Sequence, residues 1–139
     1  MNKKNYLIIG LTISAFVIAI ITILILNNNK GDWTTDILKA SSYEIRIINC
    51  NGREKELEQN VLTTLSGKWN TLSNNGPWTG NTNTCYTTIT ISYDTNGIVK
   101  QKQILLIDET SLVLDLGTST IYYTNAKDII DYLNNMLSQ

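Results

Sequence analysis

The chain has 139 residues, 17% of them charged, and a formal net charge of −1. Three of its 11 basic residues, Lys3, Lys4 and Lys30, precede residue 31, which leaves 8 basic against 12 acidic residues in the remainder, a net charge of −4. A domain with this balance lacks the clustered basic surface that phosphate neutralisation requires, so the composition excludes electrostatic binding of nucleic acid.

The first predicted element is a transmembrane helix at residues 7–26, within an anchor region of residues 1–30. The run LIIGLTISAFVIAIITILIL carries no charge, and its 20 residues are the length that a helix needs to cross about 30 Å of hydrocarbon. A cleaved signal peptide is the alternative, but its apolar core usually has about 7 to 15 residues. Lys3 and Lys4 place the N-terminus in the cytoplasm and the C-terminal domain outside. Tyr6 and Trp33 flank the predicted span, and we expect their rings at the depth of the lipid headgroups, where aromatic side chains are favoured.

Residues 31–42 are expected to form a short juxtamembrane linker, and residues 43–139 an extracytoplasmic domain. The alternation of YEIRIIN, residues 43–49, predicts a half-buried strand that ends at the turn-forming dipeptide Asn51-Gly52. From Glu54 the apolar spacing becomes helical, with a stripe that includes Leu57 and Leu65, and Gly67 is the expected terminator. The polar stretch SNNGPWTGNTNTC, residues 73–85, is then expected to be a loop.

The second half of the chain is predicted to form several strands followed by one helix. Residues 87–93 alternate, and Asn96-Gly97 closes a predicted hairpin into residues 98–107, where Lys100 and Lys102 are expected to face solvent. Residues 112–116 and 120–123 form two shorter predicted strands. An apolar stripe then predicts a last helix that Thr124 or Asn125 caps, with Asp128 in its first turn.

This order predicts an α+β domain of two layers, an antiparallel sheet of about five strands with both amphipathic helices packed on one face. A small open barrel is the alternative architecture.

Two cysteines, Cys50 and Cys85, both lie on the expected outer side of the membrane, where disulfides form and persist. We predict one structural disulfide between them. A pair of free thiols and a redox-active pair are the alternatives, although neither cysteine has a C-x-x-C spacing or a nearby histidine that would lower a thiol pKa.

The chain contains no histidine, which excludes Ser-His-Asp and Cys-His catalysis and the histidine-containing zinc sites of hydrolases. Adjacent carboxylates at Asp108 and Glu109 fit a solvated turn better than a glycosidase pair, which needs a cleft between its carboxylates. We therefore expect no enzymatic activity, no metal site and no cofactor.

Aromatic side chains are the remaining candidates for recognition. Trp69, Pro77, Trp78 and Tyr86 lie in or beside the predicted loop, and tryptophan and tyrosine are favoured anchors of protein interfaces. The alternative for Trp78 is that its indole seals the end of the first helix of the domain. The sequence leaves both interpretations open.

These features predict a single-pass membrane protein whose extracytoplasmic domain binds a partner, most naturally another protein at the cell surface or envelope. Immunity factors, exclusion proteins and envelope accessory subunits share this layout, at the level of architecture alone. The alternative is a structural subunit of a membrane complex that acts through its transmembrane helix, where Gly10 and Ser14 have a spacing that permits close helix approach.

Overall fold

The computed structural model describes residues 17, 18, 20, 33–81 and 83–139. The chain divides into two compact units, Met1–Asp32 and Trp33–Gln139. Most of the predicted span at residues 7–26 lies outside the described residues, as does Tyr6; Val17, Ile18 and Ile20 are helical, and their side chains are exposed. No helix among the described residues is long and apolar enough to span a bilayer.

The described part of the second unit has three helices and seven strands. In chain order they are α1 Thr35–Leu38, β1 Ser42–Ile48, β2 Glu54–Leu57, α2 Asn60–Trp69, β3 Ser73–Pro77, β4 Thr87–Thr95, β5 Ile98–Leu106, β6 Leu112–Asp115, β7 Thr120–Thr124 and α3 Lys127–Ser138. All seven strands form one antiparallel sheet in the order β2-β1-β4-β5-β6-β7-β3. The predicted α+β class is confirmed, but the prediction of about five strands was wrong by two.

The first missed strand is β2, where the sequence had predicted the start of a helix. Asn51-Gly52 closes a hairpin, with Gly52 at φ +76°, and the Asn49 carboxamide oxygen accepts the N–H groups of Asn51 and Arg53. Leu57 pairs with Ile45 and is buried. Leu57 fits a strand period as well as a helical one, which is why the helix was predicted too early.

The second missed strand is β3, at the other edge of the sheet. Its sequence, SNNGP, has little strand propensity, and its pairing with β7 is irregular between Asn74 and Pro77. An edge strand tolerates proline because its outward N–H has no ladder partner to lose. The polar stretch 73–85 is therefore a loop only from residue 78 onward.

Helix α2 continues through the predicted terminator Gly67 and ends at Trp69, so that prediction was also wrong. The helix connects β2 and β3, which lie at opposite edges of the sheet, and therefore crosses the inner face of the sheet. Its buried residues, those of α3 and the inward residues of the strands form one core cluster; the fully buried members include Ile45, Ile47, Leu62, Leu65, Ile89, Ile91, Ile104, Leu112, Ile129 and Leu133.

The segment that we expected to be a linker contributes to this core. Trp33, Thr34 and Ile37 are buried. Lys102 is buried as well, 7% exposed, because its register partner is Ile91 on the inner face, so the expectation that it faces solvent was wrong. Its Nζ donates to the Trp33 carbonyl oxygen at 2.6 Å and lies 3.5 Å from an oxygen of Asp36. Trp33 is consequently held in the core, and its ring is almost completely buried.

Candidate functional site

The outer-face loop, residues 78–86, connects β3 at one edge of the sheet to β4 in the middle. To reach β4 the chain has to cross β7, β6 and β5. The Trp78 N–H donates to the Thr120 carbonyl oxygen at 3.4 Å, which continues the β3 pairing as the loop begins. Since α2 occupies the inner face, the loop returns over the opposite, outer face.

Trp78 is half-buried on this outer face and does not belong to the core cluster. Its ring centroid lies 6.0 Å from that of Tyr86 at an interplanar angle of 75°, an edge-to-face contact. The indole also lies against Gly80, where a Cβ atom would overlap its Nε1, Cε2 and Cζ2 atoms. Trp78 thus packs on its own loop and not on the end of α2, which removes the interpretation that it seals the helix.

Apolar side chains lie beneath the loop. Val113 is fully buried although it is outside the core cluster, and its register partners on the outer face are Leu105 and Tyr122. Val113 and these two partners form a second, smaller apolar strip on the outer face. Tyr122 of this strip lines the same depression as Trp78 and Ile107, so the start of the loop lies beside it.

Beside Trp78 is an open depression of about 490 Å³, which we call the aromatic depression. It is lined by Asn75, Pro77, Trp78, Thr79, Gly80, Ile107 and Tyr122. The lining has no carboxylate or ammonium group. The Asn75 amide nitrogen donates to the Thr124 hydroxyl at 2.7 Å and to the Ser73 carbonyl at 3.1 Å, which fixes the orientation of the amide. The depression offers aromatic faces and neutral hydrogen-bonding groups to a ligand.

The disulfide predicted between Cys50 and Cys85 is confirmed, with a Cα–Cα distance of 5.6 Å. It joins the β1–β2 turn to the last residues of the outer-face loop and closes a ring with a sequence separation of 35. Because Cys85 immediately precedes Tyr86, the bridge fixes the far end of the loop that carries Trp78. A pre-ordered loop loses less conformational entropy when it binds.

Polar side chains on the outer face of β1, β2, β4 and β5 bond to one another. Arg46 pairs with Glu44 and, at 2.9 Å, with Glu54, and these carboxylates raise the Arg46 pKa. Next to them the Gln101 amide donates to the Ser92 hydroxyl at 3.1 Å. Exposed ion pairs and cross-strand amide bonds of this kind suit a solvated surface.

The structure separates the predicted site residues into two groups. Pro77, Trp78 and Tyr86 lie together on the outer face, with Pro77 exposed and the two rings half-buried. Trp69 lies in the core at 7% exposure, with ring centroids 4.8 Å from Trp33 and 5.3 Å from Tyr123. Trp69 consequently offers almost no surface to a partner in this conformation.

Sequence reasoning missed Asn75, Ile107 and Tyr122 as neighbours of Trp78. Tyr122 and Tyr123 are adjacent on a strand and so point to opposite faces, Tyr122 outward and Tyr123 into the core cluster. The alternation was visible in the sequence, but it did not tell which face each ring occupied.

The pKa values of Asp108 and Tyr93, which lie outside the aromatic depression, are shifted for structural reasons. A backbone N–H of Thr110 donates to Asp108 at 2.8 Å and lowers the pKa of that carboxyl, which stabilises the β5–β6 turn. Burial, followed by the charge of Asp36, raises the pKa of Tyr93. No cluster of three metal-ligating side chains occurs among the residues that the structure describes.

Comparison of the chain with protein-family models, with curated proteins and with solved structures finds no match. The function is therefore argued from the residues of the site themselves.

Proposed function

We propose that the chain is a single-pass membrane protein whose extracytoplasmic domain is a binding module for another protein at the cell surface or envelope. The apolar run at residues 7–26, with Lys3 and Lys4 before it, supports an uncleaved anchor with a cytoplasmic N-terminus. The exposed apolar side chains of Val17, Ile18 and Ile20 support a lipid environment for this helix. The disulfide supports an oxidising compartment for the domain.

The half-buried Trp78 on a disulfide-tethered loop is the observation that carries the binding proposal. An indole that is outside the core, beside an uncharged depression of about 490 Å³, has the features of an interface anchor. The surrounding amide and hydroxyl groups supply hydrogen bonds that orient a partner without requiring charge complementarity. The proposed ligand is therefore a neutral, partly apolar protein surface, bound without a cofactor or a chemical step.

The test is to recover crosslinked partners from membranes that contain the full chain and to compare Trp78→Ala with a matched control. We expect Trp78→Ala to reduce recovery of the partner at least about tenfold, because interface anchors commonly contribute about 2 kcal/mol or more. Tyr132→Ala is the control, since Tyr132 is a half-buried aromatic that packs on the core cluster from α3. Equal recovery with Trp78→Ala and the unmodified chain would refute the proposed site.

A structural subunit acting through its transmembrane helix is the second candidate. Two pairs of small residues in the apolar run favour it, Gly10 with Ser14 and Ala15 with Ala19. The members of each pair are four residues apart, a spacing that permits close approach of two helices. Exchange of residues 7–26 for an unrelated transmembrane helix separates the two candidates. Retained partner recovery supports the binding module, whereas loss of recovery with an intact Trp78 supports the structural subunit.

A further inference from the structure

Strand β2 is an open edge of the sheet. It pairs only with β1, over four consecutive positions and without a bulge. The opposite edge, β3, has a register shift, a positive φ at Gly76 and a proline at Pro77, and these features hinder pairing with a further strand. Strand β2 contains neither glycine nor proline, so its backbone has the regular geometry that another strand can join.

The hydrogen-bond pattern of the β1–β2 hairpin determines which backbone groups of β2 point away from β1. The Asn49 N–H donates to the Arg53 carbonyl oxygen at 3.0 Å, so these two residues form a hydrogen-bonded pair. Such pairs alternate along an antiparallel ladder, so Lys55 and Leu57 bond to β1 and the N–H and carbonyl groups of Glu56 point outward. Those outward groups have no backbone partner in the part of the chain that the structure describes.

A cleft of about 300 Å³ adjoins this edge, between β2, the first turn of α2 and the end of α3. Its apolar wall consists of Leu57, Val61, Tyr132 and Met136. The Lys55 Nζ donates to the Met136 carbonyl oxygen at 2.9 Å, so this ammonium group is already engaged at the end of α3. In a strand added beside β2, the residues before and after the one opposite Glu56 would point toward the cleft, and apolar side chains suit those positions.

Carboxylates dominate the outer-face side of the same edge. Glu54 and Glu56 are exposed there, and the exposed Glu58 follows. The Arg46 guanidinium pairs with Glu44 and Glu54, whereas Glu56 has no ion pair among the described residues. A second copy of the chain is a poor occupant, because antiparallel pairing of β2 with itself would place glutamate opposite glutamate. A basic side chain opposite Glu56 is the complementary choice.

We propose that the β2 edge binds an extended peptide segment of another protein, which adds a strand to the seven-stranded sheet. The segment has a basic residue opposite Glu56 and an apolar residue on each side of it. Backbone hydrogen bonds to Glu56 supply affinity, the basic side chain faces the carboxylates, and the apolar side chains enter the cleft. This site depends neither on the anchor nor on Trp78, which follows the opposite edge strand.

The test measures binding of fluorescent peptides to the full chain in detergent micelles by fluorescence anisotropy. The first peptide, Gly-Ser-Thr-Val-Arg-Val-Thr-Ser-Gly, carries the proposed pattern. The second has the same sequence with an N-methylated arginine, which lacks the N–H that would donate to the Glu56 carbonyl oxygen. We expect it to bind at least about tenfold more weakly. The third has glutamate in place of arginine and should bind about fivefold more weakly.

Glu56→Pro is the matching variant of the chain, because it removes the outward N–H and an edge strand tolerates proline at such a position. Glu56→Ala is its control, since it removes the carboxylate but keeps the N–H. We expect Glu56→Pro to weaken binding of the first peptide at least about tenfold, and Glu56→Ala only about two- to fivefold. Circular dichroism checks that both variants are folded.

Two results with the unmodified chain would overturn the inference whatever the variants do. One is equal affinity for the first peptide and its N-methylated form, and the other is no binding of the first peptide. Self-association of the full chain that Glu56→Pro abolishes would assign the β2 edge to a second copy and would overturn the peptide partner equally.

Discussion

The two faces of the sheet use the same aromatic residue types in different ways. On the inner face Trp69 lies between Trp33 and Tyr123 and is almost completely buried. On the outer face Trp78 meets Tyr86 edge to face but stays half-exposed beside the aromatic depression. Residue type does not distinguish an aromatic side chain that is buried in the core from one that stays half-exposed. The side of the sheet and the cover available there make that distinction.

The largest expected effect is on the inner face. Trp69→Ala should lower the free energy of unfolding by about 3 to 5 kcal/mol, because it removes a buried indole from contact with two other rings. Urea unfolding of residues 31–139 measures this loss. Trp69→Phe is the control, since it keeps an aromatic ring and removes an indole N–H that has no hydrogen-bond partner among the described residues. A loss below about 1 kcal/mol for Trp69→Ala would contradict the assignment of Trp69 to the core.

The disulfide comes next, because it joins the outer-face loop to the β1–β2 turn by a covalent bond and not by packing. Replacement of Cys50 and Cys85 together by serine should lower stability by up to about 4 kcal/mol, as expected for release of a closed loop of this size. Hydrogen exchange should also become faster in residues 78–86 than in α2. Equal acceleration in both segments would show that the bridge stabilises the domain as a whole and does not specifically order the loop.

An intermediate effect is expected at the junction between α1 and the sheet. Lys102→Met keeps the buried aliphatic stem but leaves the Trp33 carbonyl without its donor, which should cost about 1 to 3 kcal/mol. Hydrogen exchange of residues 33–41 should accelerate more than that of β4. Lys100→Met is the matched control on the same strand, because Lys100 is exposed, and it should leave stability nearly unchanged.

A smaller effect on stability is expected on the outer face. Trp78→Ala should lower the free energy of unfolding by about 1 kcal/mol, because the indole is half-exposed and outside the core cluster. Gly80→Ala should displace the indole without deleting it, since the added Cβ would overlap the ring. Tryptophan fluorescence of that variant should shift relative to the unmodified domain. If Trp78→Ala destabilises the domain as much as Trp69→Ala, the distinction between the two faces fails.

The smallest effect concerns pH and the turn beside Ile107. The folded-state pKa of Asp108 is lowered, chiefly by the backbone N–H of Thr110. A lowered pKa stabilises the fold above the unfolded value, about 3.9, and this contribution is lost as the pH falls through the folded-state pKa. Asp108→Asn should therefore lose less stability than the unmodified domain below about pH 4. Urea midpoints measured across that range test this, and parallel curves would contradict it.

Much of the fold followed from periodicity alone. The buried alternation of β1 and β4, the Asn96-Gly97 hairpin and the apolar stripe of α3 all fold as their spacing predicted. The disulfide was predicted from the even number of cysteines and from the expected extracytoplasmic location, and the structure contains it. These predictions succeed because each depends on local geometry, or on a constraint that does not require knowledge of the strand order.

The edge strands and the buried lysine could not be predicted in this way. Strand β2 forms because it pairs with β1, although Leu57 also fits a helical stripe. Strand β3 forms because it pairs with β7, although its sequence SNNGP has few strand-forming residues. Lys102 is buried because the segment that contains Trp33 and α1 contacts it, through the Trp33 carbonyl oxygen and the Asp36 carboxylate. The neighbours of Trp78 likewise depend on the path of the loop across the outer face, which is a property of the tertiary fold.

The central claim, that the outer face around Trp78 is the binding surface, is tested most directly by site-specific photocrosslinking in native membranes. A photoreactive phenylalanine derivative is placed at position 78 of the full chain and, as a control on the same face, at position 48. The account predicts a discrete crosslinked protein from position 78 that excess unmodified domain competes away, and none from position 48. Crosslinks only from probes within residues 7–26, with none from position 78, would contradict it.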